Sequence, residues 1–383
     1  MNRYFTDEEY GARLAAVRAD MAERDMDALL VTGPENITYL TGYTTPGYHI
    51  FQCLIVPAEG DIRFVVRNTE RVNVPDLPWI SDTVPIEVQA LTDPIPTLLS
   101  AIRQAGLAGK RNGVDRRSLF LPPLYYDQLR GELHDLIDAS GLVERHRARK
   151  SAAEIALIQR ATGLAEGSIT AGLESLRAAA TDSDVAAAVL ASLARSGSEY
   201  TGSPAYIVPG VSSLVTHSTH AQRPISDQEP LRMEVCASKG RYHGVLTRTV
   251  TRGEPTAQIR DMVALSAAAG EAMRAAARPG VTIGEVDRAG RSLVEAEFPA
   301  AYWPNRGGYS MGISYPPGLG EGDVLDIRAG DPRPIEVGMV FHLLPTLRVP
   351  GLGAVGCTDI LAVEEDGTRF LTTLPRTVLS AAQ

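Results

Sequence analysis

Cysteine is scarce in this 383-residue chain: Cys53, Cys236 and Cys357 are too few and too scattered for a disulfide framework or a thiolate zinc site, which fits a reducing compartment. No segment reaches the roughly 18 uninterrupted apolar residues that a membrane span requires, so no membrane partner is expected. Basic charge is in deficit, with 37 Lys and Arg against 46 Asp and Glu and a formal net charge of −9. A nucleic-acid surface would therefore need local clustering against the overall field. The basic run from Arg145 to Lys150 leads straight into a helical pattern and reads as its solvated start. The N-terminal residues Asp7, Glu8 and Glu9 are acidic where a signal peptide needs basic charge and then an apolar run, so the cytoplasm is the expected location. Also missing are a glycine-rich dinucleotide fingerprint, a phosphate loop, a His-Glu-x-x-His zinc motif and a nucleophile elbow, which removes many enzyme classes.

What remains is the balance of an ordinary globular protein, 44% hydrophobic and 22% charged. The length favours two domains. Tyr10, Leu14, Val17 and Met21 recur at helical spacing from Asp7 to Arg24, with Thr6 placed to cap them. Ala28–Thr32, Cys53–Pro57 and Ile62–Val66 read as strands, and Leu98–Ala105 and Pro123–Ile137 as helical stretches, with a turn into a strand at Arg111–Asp115. The first half is thus an α/β domain. Ser151 with Glu154 forms a capping-box pattern that opens a second domain, and the boundary is set between residues 148 and 149. Helices are predicted around 152–178, 182–196 and 256–278, with strands near Ala205–Val208, Pro230–Ala237, Gly244–Thr251, Met339–Leu343 and Asp359–Val363. No internal repeat is visible.

Residues able to carry chemistry concentrate in the second half, in four segments: Thr216–Arg223, Met233–Thr249, Gly307–Tyr315 and Gly338–Pro345. Glu234 lies in an otherwise apolar stretch interrupted only by Arg232, so a buried strand there must pair its carboxylate or raise its pKa. Either state suits a general acid or base, a nucleophile or a water-orienting group. The alternative is a structural ion pair with Arg248 or Arg241. His342 alternates with Phe341 and Leu343 and should face away from them, toward a pocket or as a satisfied core histidine. Tyr242 and Tyr309 are candidates for hydrogen bonds to a substrate, against the plainer role of packing residues with a polar tip. Glu321, in a glycine-rich stretch, would hold a cationic group unless it is simply solvated. Arg67 ends an apolar strand, where a guanidinium can clamp a carboxylate with two parallel hydrogen bonds.

At these segments the chain resembles the creatinase/aminopeptidase superfamily, the M24-type pita-bread fold. Asn36–Tyr43 looks like the start of its N-terminal domain, and Lys150-Ser151 with Glu154 like the junction with its catalytic domain. The resemblance implies a mixed α/β protein: a creatinase-like N-terminal α/β domain over residues 1–148, then a pita-bread catalytic domain over 149–383, with a curved antiparallel sheet flanked by helices. Metal-dependent members carry an Asp, a second Asp eleven residues on, a histidine, a Glu-Pro glutamate and a final glutamate. Here those positions hold Glu234, Val245, Tyr309, Leu344 and either Cys357 or Thr358. Val245 and Leu344 offer no ligand atom, so no metal and no other cofactor is expected.

The departures make the chain look more like the metal-lacking creatinase and ectoine hydrolase branch. His217 aligns with the superfamily's active-site histidine and would relay protons. Arg67, within a segment resembling one that reaches the other subunit's pocket, together with Tyr242, His243, Tyr309, Glu321 and Cys357, would contact the substrate. Cys357 would stand where creatinase has a glutamate, although a small buried hydrophobe is the plainer reading. The function implied is metal-independent hydrolysis of a nonpeptide C–N bond in a small carboxylate-bearing zwitterion, by a homodimer whose subunits share each pocket. A noncatalytic binding module and a lyase or cyclase on the same scaffold are the alternatives, and a metal-dependent aminopeptidase is disfavoured.

Overall fold

A computed structural model describes residues 4–299, 301, 303–304 and 306–382, and the chain separates into two compact units, Met1–Arg147 and Ala148–Gln383. In the first unit, Thr6 accepts a hydrogen bond from the Glu9 backbone N–H and starts the helix Asp7–Glu23, as its spacing predicts. Six strands form one mixed sheet in the order Ile80–Ile86, Ile62–Arg67, Cys53–Pro57, Ala28–Val31, Arg111–Val114 and Asp135–Asp138. The Asn36–Tyr43 segment is mostly helical: the helix Pro34–Thr41 takes proline in its first turn and stops at Gly42, whose φ of 70° favours glycine. The predicted helix from Pro123 ends at Glu132 rather than Ile137. Its last residues instead pair in parallel with Arg111–Val114, a long-range contact that overrides local periodicity.

The second unit begins with the predicted capping box. Ser151 accepts from the Glu154 backbone, and the Glu154 carboxylate accepts from the Ser151 N–H at 2.8 Å. The helices Ala152–Ser175 and Asp182–Arg195 pack on a sheet ordered Leu379–Ser380, Tyr242–Thr251, Leu231–Lys239, Tyr206–Pro209. Tyr242–Thr251 is buried along its whole length, and a Cβ on Gly244 would lie 2.2 Å from the Thr162 backbone nitrogen, so only glycine lets this strand meet the helix. The helices Ala257–Ala276 and Ile283–Glu297 pack on a second sheet ordered Glu321–Ile327, Gly308–Ser310, Val340–Leu343, Asp359–Glu364, Gly367–Phe370. Each half thus sets a helix pair against one face of a sheet, although no repeat is visible in the sequence. Single bridges, Tyr242 to Ile313 and Thr247 to Thr358, join the two sheets.

Strand alternation then decides what faces away from the helices. Leu231, Met233, Val235 and Ala237 enter the first helical core, which leaves Arg232, Glu234 and Cys236 on the opposite face. Phe341 and Leu343 enter the second core, leaving His342 on its other side, directly across from Tyr309. Among the described residues, no helix is long and apolar enough to cross a membrane.

Candidate active site

Those helix-averted faces line a cavity of about 570 Å³ in the second unit, whose walls include Tyr206, His217, Arg232, Glu234, Tyr309 and Leu344. Glu234 sits opposite Tyr206 on one neighbouring strand and Thr247 on the other. Arg232, two residues away on the same face, is only 8% exposed, yet its closest ionic contact is Glu234 at a long 3.9 Å. Its buried Nε donates to nothing among the described residues. Two further wall arginines are already engaged: Arg306 pairs with Asp326 at 2.5 Å, and Arg348 donates to Thr216 and to the Leu214 carbonyl. Arg232 is therefore the cation on this wall whose hydrogen-bonding capacity is least used, and a buried guanidinium in that state calls for an anion.

His217 is exposed and lies at the cavity wall with a left-handed φ of 59°, its ring 6.0 Å from that of Tyr206. A non-glycine residue is uncommon in that region of backbone space. Tyr309 lines the cavity, and its hydroxyl meets His342 Nδ1 at 2.9 Å. His342 Nε2 meets Thr358 Oγ1 at 2.6 Å. Burial pushes the His342 pKa down to about 3, so the ring is neutral near pH 7. Burial likewise raises the Tyr309 phenol well above its ordinary value, and the Glu234 charge acts in the same direction.

Of the residues singled out in the sequence, the fold brings His217, Glu234 and Tyr309 to one cavity, with His342 a layer behind Tyr309. Others are placed elsewhere. The Tyr242 hydroxyl donates to Glu154 at 2.7 Å inside the protein. His243 is fully buried, accepts from the Gly202 N–H and contacts the Arg241 carbonyl at 2.8 Å, and its pKa falls to about 3 through burial. Glu321 is not a solvated loop charge: it opens the strand Glu321–Ile327 and pairs with Lys150 at 2.7 Å, both side chains 1% exposed. Cys357 packs in the helical core, where burial pushes its thiol up to about 12. Arg67 ends the strand Ile62–Arg67 in the first unit. Neither arginine expected beside Glu234 is its ion-pair partner, since Arg248 pairs with Asp359 at 2.8 Å and Arg241 donates to the Tyr200 and Ser314 carbonyls.

The positions that the family resemblance assigns to metal ligands do not fit a divalent ion. Val245 stands across from Cys236, Leu344 presents hydrocarbon to the cavity, and Thr358 rather than Cys357 joins the polar network. Among the described residues, no three His, Cys, Asp or Glu side chains converge as a ligand set. The residue that sequence reasoning passed over is Arg232. Its signal was present, because residues two apart on a strand share a face and Glu234 had already been chosen. Arg306, Arg348 and Tyr206 carried no comparable signal.

Sequence and structure comparisons agree with this architecture. Residues 156–365 match the metallopeptidase family M24, and residues 13–149 match the creatinase/prolidase N-terminal domain. An uncharacterized hydrolase/peptidase, y4tM, of Sinorhizobium fredii is 30% identical, covering 97% of both chains. The ectoine hydrolase of Halomonas elongata is 28% identical, again over 97% of each. Among solved structures, the prolidase of Thermococcus sibiricus superposes with a TM-score of 0.85 at 18% identity, covering 97% of this chain and 99% of that one.

Proposed function

The chain belongs to the metallopeptidase family M24, with a creatinase/prolidase N-terminal domain, and we propose that within this hydrolase family it cleaves a nonpeptide C–N bond without metal. The substrate class is a small carboxylate-bearing zwitterion with an amidine, guanidino or cyclic amide group. The observation that supports this best is Arg232, a nearly buried guanidinium with unused donors beside Glu234. Arg232 holds the substrate carboxylate. Glu234 takes a proton from water as the new C–O bond forms at the amidine or amide carbon. That proton reaches the departing nitrogen as the C–N bond breaks, with His217 as the relay at the wall. The ectoine hydrolase relative supports the same class, since ectoine is a small molecule. A homodimer in which Arg67 reaches the neighbouring subunit's substrate belongs to the same proposal, and sedimentation as monomers alone would remove it.

Mass-spectrometric turnover of a panel of zwitterions, ectoine and guanidino acids included, tests the reading with chelated wild type, His217→Ala and Glu234→Gln. Product from chelated wild type and none from Glu234→Gln is the expected result. Activity that disappears on chelation and returns with a divalent ion would overturn it. The loss of ligand-type side chains at Val245 and Leu344 also favours a second reading, a binding module without turnover. Tight binding of one compound with no product would select that reading.

A further inference from the structure

We propose that Tyr309 donates the hydrogen bond that stabilises the reacting group, and that His342, held by Thr358, is the positioning residue that turns the phenol proton into the cavity. This rests on the hydrolytic reading of the site and adds a catalytic group to it. The argument is a count of protons along a buried chain. The Thr247 backbone N–H donates to Thr358 Oγ1 at 2.7 Å, so that oxygen is an acceptor and its own proton must go elsewhere. Thr358 is fully buried, and its hydroxyl's remaining partner among the described residues is His342 Nε2, at 2.6 Å. A neutral imidazole has one N–H and one acceptor nitrogen. If Nε2 accepts from Thr358, the ring proton is on Nδ1 and is donated to Tyr309 Oη at 2.9 Å. Tyr309 thereby receives a hydrogen bond within the protein and keeps its own O–H for the cavity that it lines.

The opposite tautomer would strand the Thr358 hydroxyl proton in a fully buried position, where an unsatisfied donor is costly. The register makes the arrangement local and rigid. Tyr309 and His342 are direct cross-strand partners, and Thr358 immediately precedes the strand that pairs with His342 on its other edge. In the reaction, a lone pair of the water oxygen forms the C–O bond, the water proton passes to Glu234, and the C=N or C=O π pair moves onto the heteroatom. Tyr309 donates a hydrogen bond to that heteroatom and retains its proton, as a phenol with a raised pKa should.

The test begins without substrate. In full-length protein labelled with 15N-histidine at pH 7, the His342 ring signals are assigned by their loss in His342→Gln. The expected pattern is protonated Nδ1 with unprotonated Nε2, kept in Thr358→Ser and with the Nε2 signal displaced in Thr358→Val. A ring protonated on Nε2 would overturn the proposal. With a turned-over substrate, Tyr309→Phe should lower kcat about 10²–10³-fold with little change in KM. Thr358→Val should lower it about tenfold, as an order-of-magnitude expectation for a misplaced donor, with recovery in Thr358→Ser. An unchanged kcat in Tyr309→Phe would also overturn it. If no compound is turned over, the hydrolytic reading and the catalytic role of Tyr309 fall together, whereas the tautomer is still decided by the resonance.

Discussion

Arg232 and Glu234 share one face of the strand Leu231–Lys239, with guanidinium and carboxylate 3.9 Å apart and the Arg232 Nε left without an acceptor among the described residues. A well-made buried pair would be closer and bidentate. The looser pair has enough attraction to tolerate burial while leaving donors for a third, anionic group. In the proposed reaction the two side chains divide the work: one holds the charge of a ligand, the other acts beside it.

Replacing Arg232 by Gln should therefore raise KM for carboxylate-bearing substrates by roughly 30–150-fold, the loss of about 2–3 kcal/mol of charge-assisted hydrogen bonding. Arg232→Lys should recover only part of this, because an ammonium cannot make the forked contact. Steady-state kinetics on a substrate and its carboxamide analogue checks the assignment: wild type should prefer the acid, and Arg232→Gln should lose that preference.

Glu234→Gln keeps the shape of the side chain and removes its basicity. Turnover should fall by about 10²–10⁴-fold while the protein stays folded, since the side chain is only partly buried and its ionic partner is distant. Thermal unfolding alongside single-turnover rates separates the two effects, and an active Glu234→Gln would remove this carboxylate from the chemistry.

His217 has a backbone conformation that favours glycine, with φ at 59°. His217→Gly and His217→Ala should both lose the proton relay, but the glycine variant should be the more stable by about 1 kcal/mol because it relieves the left-handed strain. Paired denaturant melts read this difference directly. Equal stability would mean that the local backbone relaxes around alanine.

Acid should destabilise the protein through His243 and His342. Their folded pKa values, both pushed down to about 3 by burial, lie below the unfolded value of 6.5. The unfolded chain therefore binds more protons below pH 6.5, and this contribution, fully present above that value, is lost as pH falls toward 3. At pH 5 the loss is about 2 kcal/mol per histidine. Urea melts at pH 7 and pH 5 should show it, and His243→Gln or His342→Gln should each flatten the slope by about half of the histidine contribution.

Lys150 and Glu321 form a buried ion pair, also bonded to Ser310. Lys150→Met alone should destabilise by about 3–5 kcal/mol by stranding a buried carboxylate, and Lys150→Met with Glu321→Leu should recover most of that. The double variant should keep the wild-type KM. A KM raised in the double variant would bring Glu321 back as a substrate contact.

How far the site was legible depended on whether a residue's role is local. Ser151 with Glu154 needed only a three-residue offset to announce a helix start, and His342 declared its face through alternation with Phe341 and Leu343. Glu234 was found as a charge out of place in an apolar strand. Tyr242, His243 and Glu321 looked equally promising in the linear order, but their partners Glu154, Gly202 and Lys150 lie 88, 41 and 171 residues away. A polar side chain already satisfied by a distant group cannot be told from a free one by its neighbours in sequence.

The sequence alone determined the family, the position of the capped second-unit helix and the alternation that turns His342 away from Phe341 and Leu343. All of these are matters of residue identity and short-range pattern. Which polar groups remained free was decided by tertiary structure. Asp326 engaged Arg306, Lys150 engaged Glu321, and Arg248 went to Asp359, while the Arg232 Nε on the cavity wall kept no acceptor among the described residues. Hydrogen bonds and ion pairs are made through space, and each donor or acceptor that one contact uses is withdrawn from any ligand.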